Sequence, residues 1–231
     1  MRRSLLIFFI TLSAILFFIP KITYSLETAV TGHKIILDAG HGGDDYGSTA
    51  CYGLPEKEVN LQITNKLKTL LETDAAKVLM TRSDDSTHSN NYRYTFANSN
   101  GGEVLVSIHL NGSSNVFTDG TLGLYGKIGK DKAFTQVLHN ALWVGLNYTP
   151  NFIDFGVTNF ASGVLLKSTM SATIQETVFI SNNYECDLLN NSGGERQQQI
   201  AQSLYNGLIN WFSQPQSTPT PKPGKNKQTL N

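Results

Sequence analysis

Short apolar runs alternate along the chain with longer amphipathic stretches. His33 to Asp38 (HKIILD) is an apolar run that ends at Ala-Gly-His-Gly-Gly, which predicts a buried strand entering a tight glycine loop. From Glu56 to Glu72, the residues Val59, Ile63, Leu67, Leu70 and Leu71 recur at helical spacing. Lys77 to Thr81 (KVLMT) predicts a second strand, Asn91 to Asn98 a short helix, and Glu103 to Ile108 (EVLVSI) a third strand ending at His109. Gly120 to Tyr125 is a weaker strand. Asp131 to Asn147 carries a second amphipathic pattern through Phe134, Val137, Leu138, Ala141 and Leu142. Val164 to Lys167 and Thr173 to Ile180 read as strands. Glu195 to Phe212 closes the pattern as a helix with Ile200, Leu204, Leu208 and Trp211 on one face. This alternation predicts one α/β domain with a mostly parallel sheet flanked by helices.

The two ends break the pattern. Met1 to Ser4 is positively charged, Leu5 to Ile19 is almost unbroken apolar sequence, and Pro20 and Lys21 end it. That reads as a secretory signal peptide, with small residues Thr23 and Ser25 near a cleavage point. The run is short for a membrane span, which needs about 20 apolar residues. An uncleaved signal anchor is the alternative, and membrane contact is expected only in that case. Either way the remainder faces outside, so the protein is exported. Arg2-Arg3 also fits a twin-arginine signal. From Gln214 the chain is Pro, Thr, Ser, Lys and Asn with only Leu230 apolar, which predicts a disordered tail. The expected organisation is therefore a signal at 1–25, a catalytic domain at 33–213 and a tail at 214–231.

Charge and cysteine content narrow the function. The 18 basic and 18 acidic residues balance, and no basic footprint argues for a nucleic-acid partner. Cys51 and Cys186 form no CxxC metal pair, and two cysteines so far apart are not a disulfide framework.

In open α/β sheets functional groups gather beyond the carboxyl ends of the strands. His41 follows the first strand, His109 the third, Glu176 lies within the last, and Glu56 opens the first helix. A catalytic zinc takes three protein ligands and keeps a position open, and two histidines with one carboxylate make such a set. A fourth residue, a carboxylate, would serve as general base. Spacing alone does not single this out, because the candidates are dispersed and no HExxH motif joins them.

The segments Ile36-Leu37-Asp38-Ala39-Gly40-His41-Gly42-Gly43, Glu56-Lys57-Glu58-Val59-Asn60-Leu61, Thr81-Arg82, Ser107-Ile108-His109-Leu110-Asn111 and Glu176-Thr177-Val178-Phe179-Ile180-Ser181-Asn182 resemble the zinc-dependent N-acetylmuramoyl-L-alanine amidases of the amidase-3 group. The resemblance runs in order from about His33 to Phe212. It implies a twisted six-stranded sheet. It implies one zinc ion on His41, Glu56 and His109, with Glu176 as the catalytic acid–base group. The implied substrate is the amide between N-acetylmuramic acid and L-alanine in peptidoglycan, cut by a zinc-activated water, and the protein is expected to act as a monomer. Two other readings are a catalytically inactive peptidoglycan-binding module and a zinc peptidase acting on stem peptides.

Other residues take lesser roles in this reading. Glu58 competes with Glu56 but sits two positions on, facing another side of the helix. Asp38 is a candidate to orient a ligand histidine. Arg82 and Arg93 are expected in structural salt bridges. Tyr46, Asn111 and Asn182 are candidate groove residues, and His33, His88 and His139 are surface or structural. Ser171, Gln175 and Val178 depart from the family pattern, and are expected beside the substrate groove. If His41 and Glu176 face one zinc, the loops carrying Cys51 and Cys186 leave the same sheet edge. A disulfide between them would then be in reach, with two free thiols as the alternative.

Overall fold

The apolar run at Lys34–Ala39 forms strand β1, and its alternation sends Ile35 and Leu37 into one core and Ile36 into another. A strand buried on both faces belongs in the middle of a parallel sheet. β1 pairs in parallel with β2 (Lys77–Met80) on one side and β3 (Val104–Asn111) on the other. β6 (Ser171–Phe179) continues the parallel run beyond β3, and β4 (Gly120–Tyr125) joins β6 antiparallel. β5 (Ile153–Asn159) pairs in parallel with β4, giving the order β2-β1-β3-β6-β4-β5. The computed structural model describes residues 27–147, 149, 151–190 and 194–215. The expected export signal lies outside these residues, as does nearly all of the tail.

The two faces of the sheet are covered unequally. One packs against three long helices, α1 (Glu56–Thr73), α3 (Lys132–Leu146) and α6 (Glu195–Phe212). Their buried Val59, Ile63, Leu67, Phe134, Leu138, Ile200 and Leu204 share a core with Leu37, Val106 and Val178. Among the described residues the other face carries only α2 (Asn90–Ser99) and the single turn α4 (Gly163–Lys167). A sheet face covered by so little helix is left open over its upper half, and the cleft described below lies there.

Two expectations from the sequence are corrected. Val164–Lys167 is helical, with Leu166 N–H donating to Ser162 O. A run of three apolar residues and a lysine has no period that separates strand from helix. Cys186 sits in a helix, α5 (Asn183–Asn190), where a loop was expected. Asn182 caps α5 by accepting from the backbone N–H groups of Tyr184 and Glu185. Strand β5 is an addition: it is an edge strand, largely exposed and interrupted by Gly156, so it lacks the apolar signature of the central strands.

Cys51 and Cys186 are joined in a disulfide with Cα atoms 5.3 Å apart. It ties the loop before α1 to α5, beyond the ends of β1 and β6, and the alternative of two free thiols is set aside.

Candidate metal centre and cleft

His41 from the loop after β1, Glu56 from the start of α1 and His109 from β3 converge. One ligand-type atom from each lies within 4.8 Å of the other two, so the group could hold a metal ion. Glu56 is the hub. Its Oε1 lies 3.1 Å from His41 Nε2 and 3.2 Å from His109 Nδ1. The same oxygen accepts from Leu110 N–H at 3.1 Å and Asn60 Nδ2 at 3.2 Å, while Oε2 accepts from Ser48 N–H at 3.0 Å. Burial alone would raise the Glu56 pKa, but the hydrogen bonds and charges of His109 and His41 outweigh it and hold the carboxyl well below its ordinary range. The converse applies to His41: burial lowers its pKa, yet Glu56 and Asp45 push it up to about 9.

Local backbone makes this convergence possible. A Cβ at position 40 would lie 2.4 Å from the His109 ring, so only glycine lets β3's histidine reach the end of β1. At Gly47 (φ +62) a Cβ would fall 2.6 Å from Glu56 Oε2. His41 itself has φ 60, rare for a non-glycine residue and common at functional sites. Arg93 holds that strained turn, donating from Nη2 to His41 O at 2.9 Å and from Nη1 to Ala39 O at 2.9 Å.

Alternation along the strands puts Ser107, His109, Leu122, Leu124, Ile174 and Glu176 on the sparsely covered face. There they line a cleft of about 630 Å³ together with His41 and Glu56. His109 and Glu176 are register neighbours on adjacent strands. Among the described residues no hydrogen bond reaches the Glu176 carboxylate. Burial and the Glu56 charge raise its pKa, and the two histidines only partly oppose them. The cleft thus presents a three-ligand cluster beside an unengaged carboxylate that holds its proton more readily than usual. The cluster's three side chains are of the types that ligate a divalent cation, and a carboxyl of this kind is of the type that accepts and returns a proton.

Secondary expectations fare unevenly. Asp38 does not touch His41. It lies in the floor, accepting from Arg93 at 2.6 Å, Thr81 at 2.5 Å and Ser107 at 2.6 Å. The side chain on His41 is Asp45, whose Oδ1 lies 2.9 Å from Nδ1. Its spacing of four from His41, in Asp-Tyr-Gly, was the available signal. Arg93 makes the expected salt bridge, with Asp38. Arg82 instead donates to the carbonyls of Ala39, Gly40, Lys57 and Asp84. Asn111 lines the cleft, whereas Asn182 caps α5 and Tyr46 packs over the Lys57 ammonium. His88, expected to be surface or structural, lines the cleft, and His139 is buried against Asp154. Gln175 and Val178 face the long-helix core, with Gln175 donating to Thr135 O, and Ser171 lies at the far end of β6. The departures from the family pattern therefore sit away from the groove, against expectation.

Fold and donor set together define an open α/β domain with a two-histidine, one-carboxylate centre of the kind metal-dependent hydrolases use. Residues 35–210 match the family described as N-acetylmuramoyl-L-alanine amidase, and the chain belongs to it. The amidase CwlM of Bacillus licheniformis is 32% identical over 184 residues, which are 78% of this chain and 69% of that protein. The amidase LytC of Bacillus subtilis is 28% identical over 83% of this chain but only 38% of its own length, so the chain spans well under half of that relative. Among solved structures, the amidase AmiC2 of Nostoc punctiforme superposes with a TM-score of 0.72 at 26% identity, covering 80% of this chain and 99% of that one.

Proposed function

We propose that the chain hydrolyses the amide between the lactyl group of N-acetylmuramic acid and the L-alanine of the stem peptide in bacterial peptidoglycan, using one zinc ion. Family membership supports the reading. The observation that carries it is the meeting of His41, Glu56 and His109 with Glu176 in one cleft. Two imidazoles and a carboxylate fit zinc in donor type and number, and three protein donors leave a position open.

In this reading His41 Nε2, His109 Nδ1 and a Glu56 oxygen hold the metal. Zinc bound there supplies a Lewis acid for the amide carbonyl and lowers the pKa of water toward about 7. Glu176 takes the proton of the attacking water on its carboxylate and returns it to the leaving alanine amine. A carboxyl with a raised pKa suits both halves of that transfer. Leu122, Leu124 and Ile174 give the cleft an apolar floor, which limits competing water around the scissile bond. Residues 1–25 direct export, so the 33–213 domain works in the envelope, as a monomer.

The test is a digest of purified peptidoglycan by the zinc-loaded protein, read by mass spectrometry. Free stem peptides that begin with an L-alanine amino end are expected. Stems cut internally would mean a peptidase, and binding without products would mean an inactive module.

A further inference from the structure

The two histidines of the centre are held differently. His41 offers Nε2 to the cluster, at 3.1 Å from Glu56 Oε1, while its other nitrogen lies 2.9 Å from Asp45 Oδ1. His109 offers Nδ1, and among the described residues no carboxylate bonds its Nε2. The Gly40 backbone packs against that ring in place of a hydrogen-bonded partner.

Asp45 is itself fixed. Its backbone exchanges two hydrogen bonds with Gly42, Gly42 N to Asp45 O at 2.9 Å and Asp45 N to Gly42 O at 3.1 Å. Its Oδ1 also accepts from Gly47 N–H at 3.2 Å. The carboxylate is therefore anchored by backbone on both sides, and its oxygen can only accept. Both ring nitrogens of His41 face acceptors, Nδ1 toward Asp45 and Nε2 toward Glu56. When a cation takes the place of the proton on Nε2, Asp45 keeps the remaining proton on Nδ1, so the neutral ring turns its lone pair on Nε2 to the metal. Because the His41 backbone stands at φ 60, the side chain cannot borrow orientation from a regular strand or helix.

We propose that Asp45 is a positioning residue, which fixes the tautomer and ring plane of His41 so that Nε2 is presented to the metal. The inference rests on the zinc reading above and deepens it. Partners of this kind commonly change metal affinity by about 10–100-fold. His41 should depend on its carboxylate, and His109 on steric confinement.

The test has two readouts on the full chain. The first is zinc affinity, measured by competition with a chromophoric chelator. Asp45→Ala should weaken zinc by about 10–100-fold, and Asp45→Asn, whose amide oxygen still accepts from Nδ1–H, by less. The second, in zinc-free protein, is exchange of the His41 Nδ1–H proton with water by NMR. It should be slow in the wild type and in Asp45→Asn, and fast in Asp45→Ala. A purely structural brace would lower thermal stability and leave that proton protected. Unchanged zinc affinity in Asp45→Ala, or unchanged exchange of the Nδ1–H proton, overturns the proposal. Should Asp45→Ala fail to fold, the proposal stands or falls on Asp45→Asn. There the proton must stay protected and zinc must bind between tenfold weaker and equally well. If the wild type itself binds no zinc, the metal reading fails separately, and proton exchange still decides whether Asp45 sets the ring.

Discussion

Two regions of the molecule treat acidic groups in opposite ways: a β1 wall that lines the cleft, and a β6 wall that runs from Glu176 in the cleft to Asp119 and Glu185 outside it. On the β1 wall each acid meets a cation or a row of donors. Glu56 faces two imidazoles, Asp45 one, and Asp38 the Arg93 guanidinium, and all three carboxyls are held below their ordinary pKa. On the β6 wall acids outnumber the cations offered to them. Among the described residues no hydrogen bond reaches the Glu176 carboxylate, and buried Asp119 sits against Glu185, whose charge Arg196 already engages. Both Glu176 and Asp119 are pushed up, Asp119 to about 7. The same residue type thus becomes a fixed anion on one wall and a proton store on the other, decided by its neighbours.

The largest effect is expected from removing the anion at the hub. Glu56→Gln keeps the shape but loses the charge shared by His41 and His109. It should bind no stoichiometric zinc by atomic absorption and should release no stem peptides. Full zinc occupancy in that variant would erase the distinction between the walls.

Next comes the support beneath the β1 wall. Asp38→Ala leaves the buried Arg93 charge without its carboxylate, and breaking a buried pair costs about 3–5 kcal/mol. Urea unfolding at pH 7 measures it. The sign with pH also follows. Burial works against Asp38, but Arg93 and the Ser107 and Thr81 hydroxyls hold its folded pKa below the unfolded value of about 4. Its contribution is present above that value and fades as pH falls through the folded pKa. The variant should lack this acid-side loss.

A smaller and opposite effect is expected on the β6 wall. Burial first, then the Glu185 charge, raises Asp119. The folded protein holds a proton that the unfolded chain releases near pH 4, so this group erodes stability as pH rises from about 4 to about 7. Asp119→Asn should remove that erosion, raising the thermal midpoint at pH 8 and leaving it nearly unchanged at pH 4. A midpoint that drops at pH 8 would show that the acids on this wall are compensated after all.

The sequence was most readable where one signal dominated. The central strands are apolar runs bounded by glycine or charge, and α1 and α6 carry long 3.6-residue patterns, so their positions were plain. β5 and α4 were not, because an edge strand and a single turn have too little buried surface to impose a period. The histidines and Glu56 stood in recognisable segments at element ends. Asp45 and Asn60 were missed because their roles depend on where a loop folds back and on which helix face meets the cluster. The disulfide was foreseeable only from the shared edge of two loops, and that edge had first to be inferred from His41 and Glu176.

The central claim is a division of labour between the two glutamates of the cleft, and Glu176→Gln tests it most directly. Zinc content and stem-peptide release are measured on the same preparation. The account predicts one zinc per chain, as in the wild type, with hydrolysis slowed by about 10²–10⁴-fold, the usual contribution of a general acid–base group. Cleavage at near the wild-type rate, or loss of the zinc along with activity, would contradict it.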